Sequence, residues 1–134
     1  MSFMKSILST IVLLLVLSSC KDSTDLTINR TGTYLATGVY TNYNKAVISA
    51  VDTKTLDIQL QNGAGETYVE FPSAVLSTAD KFSIDEDVTI RNLSGTYHAS
   101  GSGTYVDNSV SFTVVAKNKA DTTQTFSIPF AGSR

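Results

Sequence analysis

Residues 97–114, with the sequence YHASGSGTYVDNSVSFTV, decide the fold of this chain of 134 residues. Small or apolar side chains alternate with polar ones on both sides of Asp107-Asn108. In the second half, Val110, Phe112 and Val114 fall on one face of a strand. Aspartate and asparagine tolerate the positive φ that a two-residue hairpin turn requires. The segment therefore predicts an antiparallel β-hairpin.

Two glycines interrupt the first strand of this hairpin. Gly101 and Gly103 lie on the same face as Tyr97, Ala99 and Tyr105. Glycine inside a strand marks a bend or a close approach of two backbones, as the sharply coiled strands of a small barrel require. The glycines therefore favour a barrel.

The same pattern extends to both sides of the hairpin. From residue 31 onward, short alternating runs are separated by turn signals every eight to twelve residues, which is typical of an all-β sandwich or barrel. The predicted strands cover residues 33–40, 45–51, 56–61, 68–71, a pair beginning at 82–90, 97–106, 109–114 and 123–131. Residues 76–80 are predicted as a loop, and 73–80 are compatible with a helical turn. Short loops favour neighbours in sequence order, so we predict an antiparallel meander of eight or nine strands over residues 31–134.

A barrel and a sandwich make different demands on composition. An immunoglobulin-like sandwich usually has a core tryptophan and a pair of cysteines, whereas this chain has no tryptophan and one cysteine. Closure of a meander removes the exposed edges that invite aggregation. Pro129 is contrary evidence, because proline cannot donate to a ladder and belongs at an edge, a bulge or a strand end. We predict a barrel whose last strand closes incompletely, with a β-sandwich as the alternative.

The first twenty residues have the features of a secretory leader. Lys5 is followed by the apolar run 7–17, which is about 16 Å long as a helix. That is too short for a hydrocarbon core of about 30 Å and indicates a signal peptide over residues 1–19. The following Leu17-Ser18-Ser19-Cys20 resembles the lipobox of bacterial lipoproteins. The resemblance implies cleavage before Cys20 and a diacylglyceryl group on its sulfur.

The segment after the cysteine predicts where the chain resides. Residues 20–30 are polar and aperiodic, so we interpret them as the lipidated cysteine and its tether. Lysine rather than aspartate at position 21 resembles lipoproteins that are forwarded to the outer membrane. The expected location is the cell envelope, with the protein anchored in the outer membrane through Cys20, on the periplasmic face or the cell surface.

Four segments of the body carry a second resemblance. Gly32-Thr33-Tyr34, Phe82-Ser83-Ile84-Asp85, SGSGTY at 100–105 and FAGSR at 130–134 look like small lipocalin-like or calycin-like lipoproteins. The resemblance implies a small β-barrel and transfers no catalytic residue. True lipocalins have Gly-x-Trp where this chain has Gly32-Thr33-Tyr34.

The sequence offers no arrangement for catalysis. His98 is the only histidine, and no Gly-x-Ser-x-Gly elbow presents a nucleophile, so we interpret His98 as an outward polar side chain. Asp85-Glu86-Asp87 lacks the calcium-loop pattern with its central glycine, and one histidine is too few for an ordinary zinc site. We expect no enzyme activity, no cofactor and no metal. A net charge of −2 also argues against a nucleic-acid partner.

Tyrosines are the remaining functional candidates. Tyrosine combines apolar area with a hydrogen-bonding tip, which suits ligand sites and interfaces. Tyr34, Tyr40, Tyr97 and Tyr105 are the candidate ligand-binding residues, and the alternative is that tyrosines fill the barrel interior. The sequence thus predicts a non-catalytic, lipid-anchored binding module for a small apolar ligand or a protein partner. The alternative is a structural envelope lipoprotein whose barrel is packed solid.

Overall fold

The chain forms a closed antiparallel barrel in a computed structural model that describes residues 24–134. Its strands are β1 (Gly32–Ala36), β2 (Lys45–Ala50), β3 (Thr55–Gln61), β4 (Thr67–Thr78), β5 (Lys81–Val88), β6 (Tyr97–Val106), β7 (Ser109–Asn118) and β8 (Thr125–Ser133). Each strand pairs with the next one in sequence, and β8 pairs with β1. The predicted all-β meander and its closure are confirmed with eight strands, and the sandwich alternative is wrong. The predicted leader and Cys20 lie outside the described residues.

The hairpin that decided the fold is the most extensively paired part of the sheet. β6 and β7 are in register without interruption from Tyr97 opposite Asn118 to Val106 opposite Ser109. Asp107, the first residue of the turn, has a φ of 52°, as the prediction required of this position.

The strand β4 corrects the sequence interpretation of residues 73–80. It continues to Thr78, so the loop predicted at 76–80 is confined to the turn at 79–80, and the helical turn at 73–80 is wrong. Ala74 and Leu76 are buried while Val75 and Ser77 are exposed, which is a strand alternation that the serines and threonines of this segment obscured.

The strand β1 is shorter than predicted. It ends at Ala36, and residues 37–44 form a loop that leads to β2. Its pairing with β8 stops at the same point, with Leu35 opposite Ser133 and Ala36 opposite Gly132. The edge of β8 from Thr125 to Ala131 therefore has no strand beside it. We call this opening the seam.

Pro129 lies on the seam, opposite Thr113 of β7 on its other side. Strand residues point their N–H and C=O groups alternately to the two neighbours, and Ala131 points its groups at β1. Pro129 therefore faces the seam, where its missing N–H removes no ladder bond. Its predicted position at an edge is confirmed.

Apolar and aromatic side chains fill the barrel interior. The ring of Phe112 lies 6.4, 5.9 and 5.5 Å from those of Phe71, Phe82 and Phe130. Phe82 occupies the space over Gly103, where a Cβ atom would lie 2.1 Å from its ring. The alternation predicted for β6 is confirmed, because Tyr97, Ala99, Gly103 and Tyr105 are all buried.

The N-terminal turn, residues 25–30, covers one end of the barrel. Leu26 donates its N–H to the Thr53 carbonyl at 2.8 Å, and Thr27 is buried. The Arg30 carbonyl accepts hydrogen bonds from Tyr34 and Tyr105, each at 3.0 Å. Part of the segment predicted as a tether is therefore packed against the barrel. We call this the proximal end; it also holds the turns 51–54, 79–80 and 107–108.

Candidate functional site

Tyrosine side chains close the seam where the strand pairing stops. Tyr43 donates its hydroxyl hydrogen to the Pro129 carbonyl at 2.5 Å. Tyr40 accepts a hydrogen bond from the Ala131 N–H at 3.0 Å, and Thr37 donates its N–H to the Ala131 carbonyl at 2.9 Å. The side chains of the 37–44 loop thus take the place of a longer β1.

Three tyrosine rings are stacked along this loop. The ring centroids of Tyr40 and Tyr43 are 5.1 Å apart, and those of Tyr43 and Tyr68 are 5.4 Å apart, with interplanar angles of 19° and 27°. Tyr43 in the middle is buried, whereas Tyr40 and Tyr68 are half-buried. Burial, reinforced by the two neighbouring tyrosines, raises the pKa of Tyr43, so its hydroxyl stays protonated and available to Pro129.

A groove of about 310 Å³ runs beside the stack. The 37–44 loop, Tyr68 and β8 form its walls, and its apolar and aromatic contacts are Val39, Tyr40, Tyr43, Tyr68, Phe126, Ile128 and Pro129. We call it the tyrosine groove. Ser127 also lines it, and the alternation along β8 directs the Ser127 N–H and C=O to the same side as those of Ala131. The groove therefore combines an aromatic wall with an unpaired strand edge.

The structure separates the four tyrosines that the sequence singled out. Tyr40 lies in the groove. Tyr97 is buried against Phe126, with ring centroids 5.4 Å apart. Tyr34 and Tyr105 are buried at the proximal end, with their rings 6.0 Å apart. As ligand contacts these four residues stay predictions; as packing elements, Tyr34, Tyr97 and Tyr105 belong to the hydrophobic core.

Sequence reasoning missed Tyr43 and Tyr68 as members of the site. Tyr43 lies in a segment correctly predicted to be a loop between β1 and β2, and Pro129 correctly indicated an edge. Together, the loop and the proline indicated that a side chain of the loop could form hydrogen bonds with the unpaired edge of β8. The stacking with Tyr68 had no local signal, because it depends on how the closed barrel brings β4 to the loop.

Cationic side chains reinforce the proximal end. The Arg30 guanidinium lies 4.9 Å from the ring centroid of Tyr105, and that of Arg134 lies 5.6 Å from the ring of Tyr34. Arg30 also forms an ion pair with Asp80 at 2.7 Å. These contacts fix the N-terminal turn and the C-terminus to the barrel.

A second depression, of about 580 Å³, lies where β4 and β5 diverge. The Glu70 carboxylate borders it, and Glu86 nearby accepts a hydrogen bond from the Ser73 N–H at 3.0 Å. Burial raises the pKa of both glutamates, and the neighbouring Asp57 raises it further. The buried Asp57 Oδ1 has no hydrogen-bond partner among residues 24–134.

His98 lies on the outer face of β6 between two carboxylates. Its Nε2 is 2.7 Å from Asp85 and its Nδ1 is 2.9 Å from Asp87, which also pairs with Lys119 at 2.6 Å. The hydrogen bond to Asp87, followed by the contacts to Asp85, raises the pKa of His98. Both ring nitrogens are therefore engaged, and the arrangement favours imidazolium rather than a free base.

Neither a metal site nor a membrane-spanning helix is found in the part of the chain that the structure describes. Between Thr24 and Arg134, no three His, Cys, Asp or Glu side chains are grouped so that they could hold a metal ion. In the same range no helix has the length and hydropathy to cross a membrane.

Comparison with protein-family models, curated proteins and solved structures finds no match to this chain.

Proposed function

We propose that this chain is a lipid-anchored lipoprotein of the bacterial cell envelope whose barrel is a non-catalytic interaction module. The tyrosine groove is its binding site, and an extended segment of a protein partner is the ligand that fits it. The observation that carries the proposal is the seam, where a strand edge and an aromatic wall share one groove.

The seam offers an extended segment two kinds of contact. The backbone groups of Ser127 can pair with another strand, as in recognition by strand addition. Tyr40 and Tyr68 offer half-buried rings, and tyrosine provides large contact area at low cost in side-chain entropy. Pro129, whose carbonyl is already bonded to Tyr43, limits that pairing to the stretch before it. A short segment is therefore expected to bind.

The lipobox and the small closed barrel support a lipocalin-like or calycin-like assignment, which remains part of this proposal. A barrel of eight strands either holds one small ligand or is filled by its own side chains. Here Phe82 packs over Gly103 and Phe130 packs over Gly132. We therefore place the ligand at the seam and not inside the barrel.

A second candidate function is a structural envelope lipoprotein without a ligand. The filled interior favours it, because the central ring of Phe112 is surrounded by other aromatic rings. The two candidates differ in whether the tyrosine groove is occupied in the protein isolated from its own envelope.

Replacing Cys20 with alanine is expected to abolish acylation. The wild-type chain should incorporate labelled palmitate and remain with the membrane fraction, because two or three acyl chains anchor a protein stably. The Cys20→Ala variant should lose both properties, since the chain has no other cysteine. Labelling in cells followed by membrane fractionation measures the difference. Equal labelling of the two chains would refute the lipoprotein proposal.

Replacing Val39 with aspartate is expected to remove the bound partner. Val39 is 101% exposed and lines the groove, so a charge there should repel an apolar segment without affecting the barrel. Val115→Asp is the matched control, because Val115 is 46% exposed on the outer face of β7 and does not line the groove. Native mass spectrometry of protein isolated from its envelope should show the partner mass on the wild type and on Val115→Asp.

The same spectra distinguish the alternatives. A small retained mass that is lost in Val39→Asp would show that the ligand is a small apolar molecule and not a peptide segment. A bare, monomeric wild type would favour the structural lipoprotein, and a partner retained equally by both variants would place the binding site elsewhere.

A further inference from the structure

Resting on the proposed lipidation of Cys20, we propose that the proximal end of the barrel docks on the lipid bilayer. Ile28, Val51 and Val106 enter the interfacial layer, and the tyrosine groove is held on the side away from the membrane. The partner of this surface is the lipid itself.

The length of chain between anchor and barrel limits where the barrel can sit. Cys20 precedes Thr24, the first described residue, by four positions, which span about 14 Å when fully extended. Leu26 is already hydrogen-bonded to Thr53. The proximal end is therefore tied close to the acylated sulfur. The opposite end lies about 25 Å farther away, given the ten-residue strand β6 and the usual tilt of barrel strands.

Three exposed apolar side chains lie on this end. Ile28 is 64% exposed in the N-terminal turn, Val51 is 60% exposed in the turn between β2 and β3, and Val106 is 68% exposed at the end of β6. They come from three separate elements that converge there. Exposure of apolar side chains to water is unfavourable, and their transfer into the interfacial layer of a membrane lowers the free energy. Their shared location next to the anchor is what a membrane-facing surface requires.

The charged groups of the proximal end are compatible with lipid headgroups. Lys54 and Lys81 lie in or beside the turns of this end, where long basic side chains can extend to lipid phosphates. Four acidic side chains lie on this end: Asp107, beside Val106, is exposed, Asp25 accepts a hydrogen bond from the Thr27 N–H at 2.9 Å, and the other two are also engaged within the protein. Asp52 accepts a hydrogen bond from the Lys54 N–H at 2.9 Å, and Asp80 is paired with Arg30.

The natural absence of tryptophan makes a direct test of this orientation available. Single-tryptophan variants Ile28→Trp, Val51→Trp and Val106→Trp report on the proximal end, and Val39→Trp is the control at the groove. All four positions are exposed, so each ring can be accommodated without repacking the interior. Each protein is purified from its envelope and reconstituted in vesicles of phosphatidylethanolamine and phosphatidylglycerol, with or without brominated acyl chains.

We expect the three proximal tryptophans to emit at shorter wavelength in vesicles than in the same protein after it has been released from its lipid anchor into buffer without detergent. In vesicles, the brominated lipid should quench their emission. Val39→Trp should show no quenching by the brominated lipid, because the groove lies at the opposite end of the barrel from the anchor. Equal quenching at Val39 and at the proximal positions, or none at any position, would overturn the proposed orientation.

Failure of the orientation can be told apart from failure of the lipidation. The mass of the purified protein shows directly whether Cys20 carries acyl chains. If it does not, the free thiol of Cys20 is coupled to a maleimide-bearing lipid and the same fluorescence comparison is made. Proximal quenching in that case would support the docking surface even though the biological anchor was wrong.

Discussion

Replacing Phe112 with alanine is expected to lower the free energy of unfolding by about 3–5 kcal/mol. Phe112 is 4% exposed, and its ring contacts those of Phe71, Phe82 and Phe130. These four rings come from β4, β5, β7 and β8, so they join strands that are not all neighbours in the sheet. Removing the central ring leaves a cavity that the closed barrel cannot collapse to fill. A domain of this size is stable by only about 5–15 kcal/mol, so the loss is a large part of the total.

Urea unfolding followed by circular dichroism measures this effect. Val115→Ala is the matched control, because Val115 belongs to the same strand but points outward and is 46% exposed. Its free energy of unfolding should change by no more than about 0.5 kcal/mol. Equal losses in the two variants would mean that Phe112 is not the centre of the core.

The parts of the fold that the sequence predicted were those with strict local alternation. In β7 the buried residues Val110, Phe112 and Val114 alternate with exposed neighbours, and the strand was predicted correctly from 109 to 114, although it continues to Asn118. In β4, serine and threonine surround Ala74 and Leu76, so burial was harder to see and the strand was taken for a loop. The end of β1 at Ala36 coincides with the end of its pairing with β8, which is a tertiary contact that local alternation does not report.

The candidate site shows the same limit more sharply. Tyr40 was found because an amphipathic side chain near a strand end is informative on its own. Its hydrogen bond with Ala131 joins residues 91 positions apart, and Tyr43 stacks on Tyr68 of another strand, so both contacts depend on the assembled barrel. Pro129 was the exception, since its chemistry alone required an edge, and the site lies at that edge.

Replacing Gly101 with alanine is expected to destabilise the barrel by about 1–3 kcal/mol. A Cβ atom at this position would lie 2.1 Å from the carbonyl oxygen of Thr113 and 2.8 Å from the Cα atom of Val114. Both atoms belong to the backbone of β7, which cannot move aside without breaking the longest uninterrupted pairing in the sheet. The cost is therefore one of overlap, and no side-chain rotation can relieve it.

Gly63→Ala is the control, because a Cβ atom there would meet only the side-chain nitrogen of Asn44, at 3.4 Å. That variant should be neutral or more stable by up to about 1 kcal/mol, since alanine restricts the unfolded chain more than glycine does. Thermal and urea unfolding of both variants give the comparison. If Gly101→Ala were as stable as Gly63→Ala, β6 and β7 could not be as close as the structure places them. The glycine would then serve only to let the strand bend, and a larger side chain should be tolerated there too.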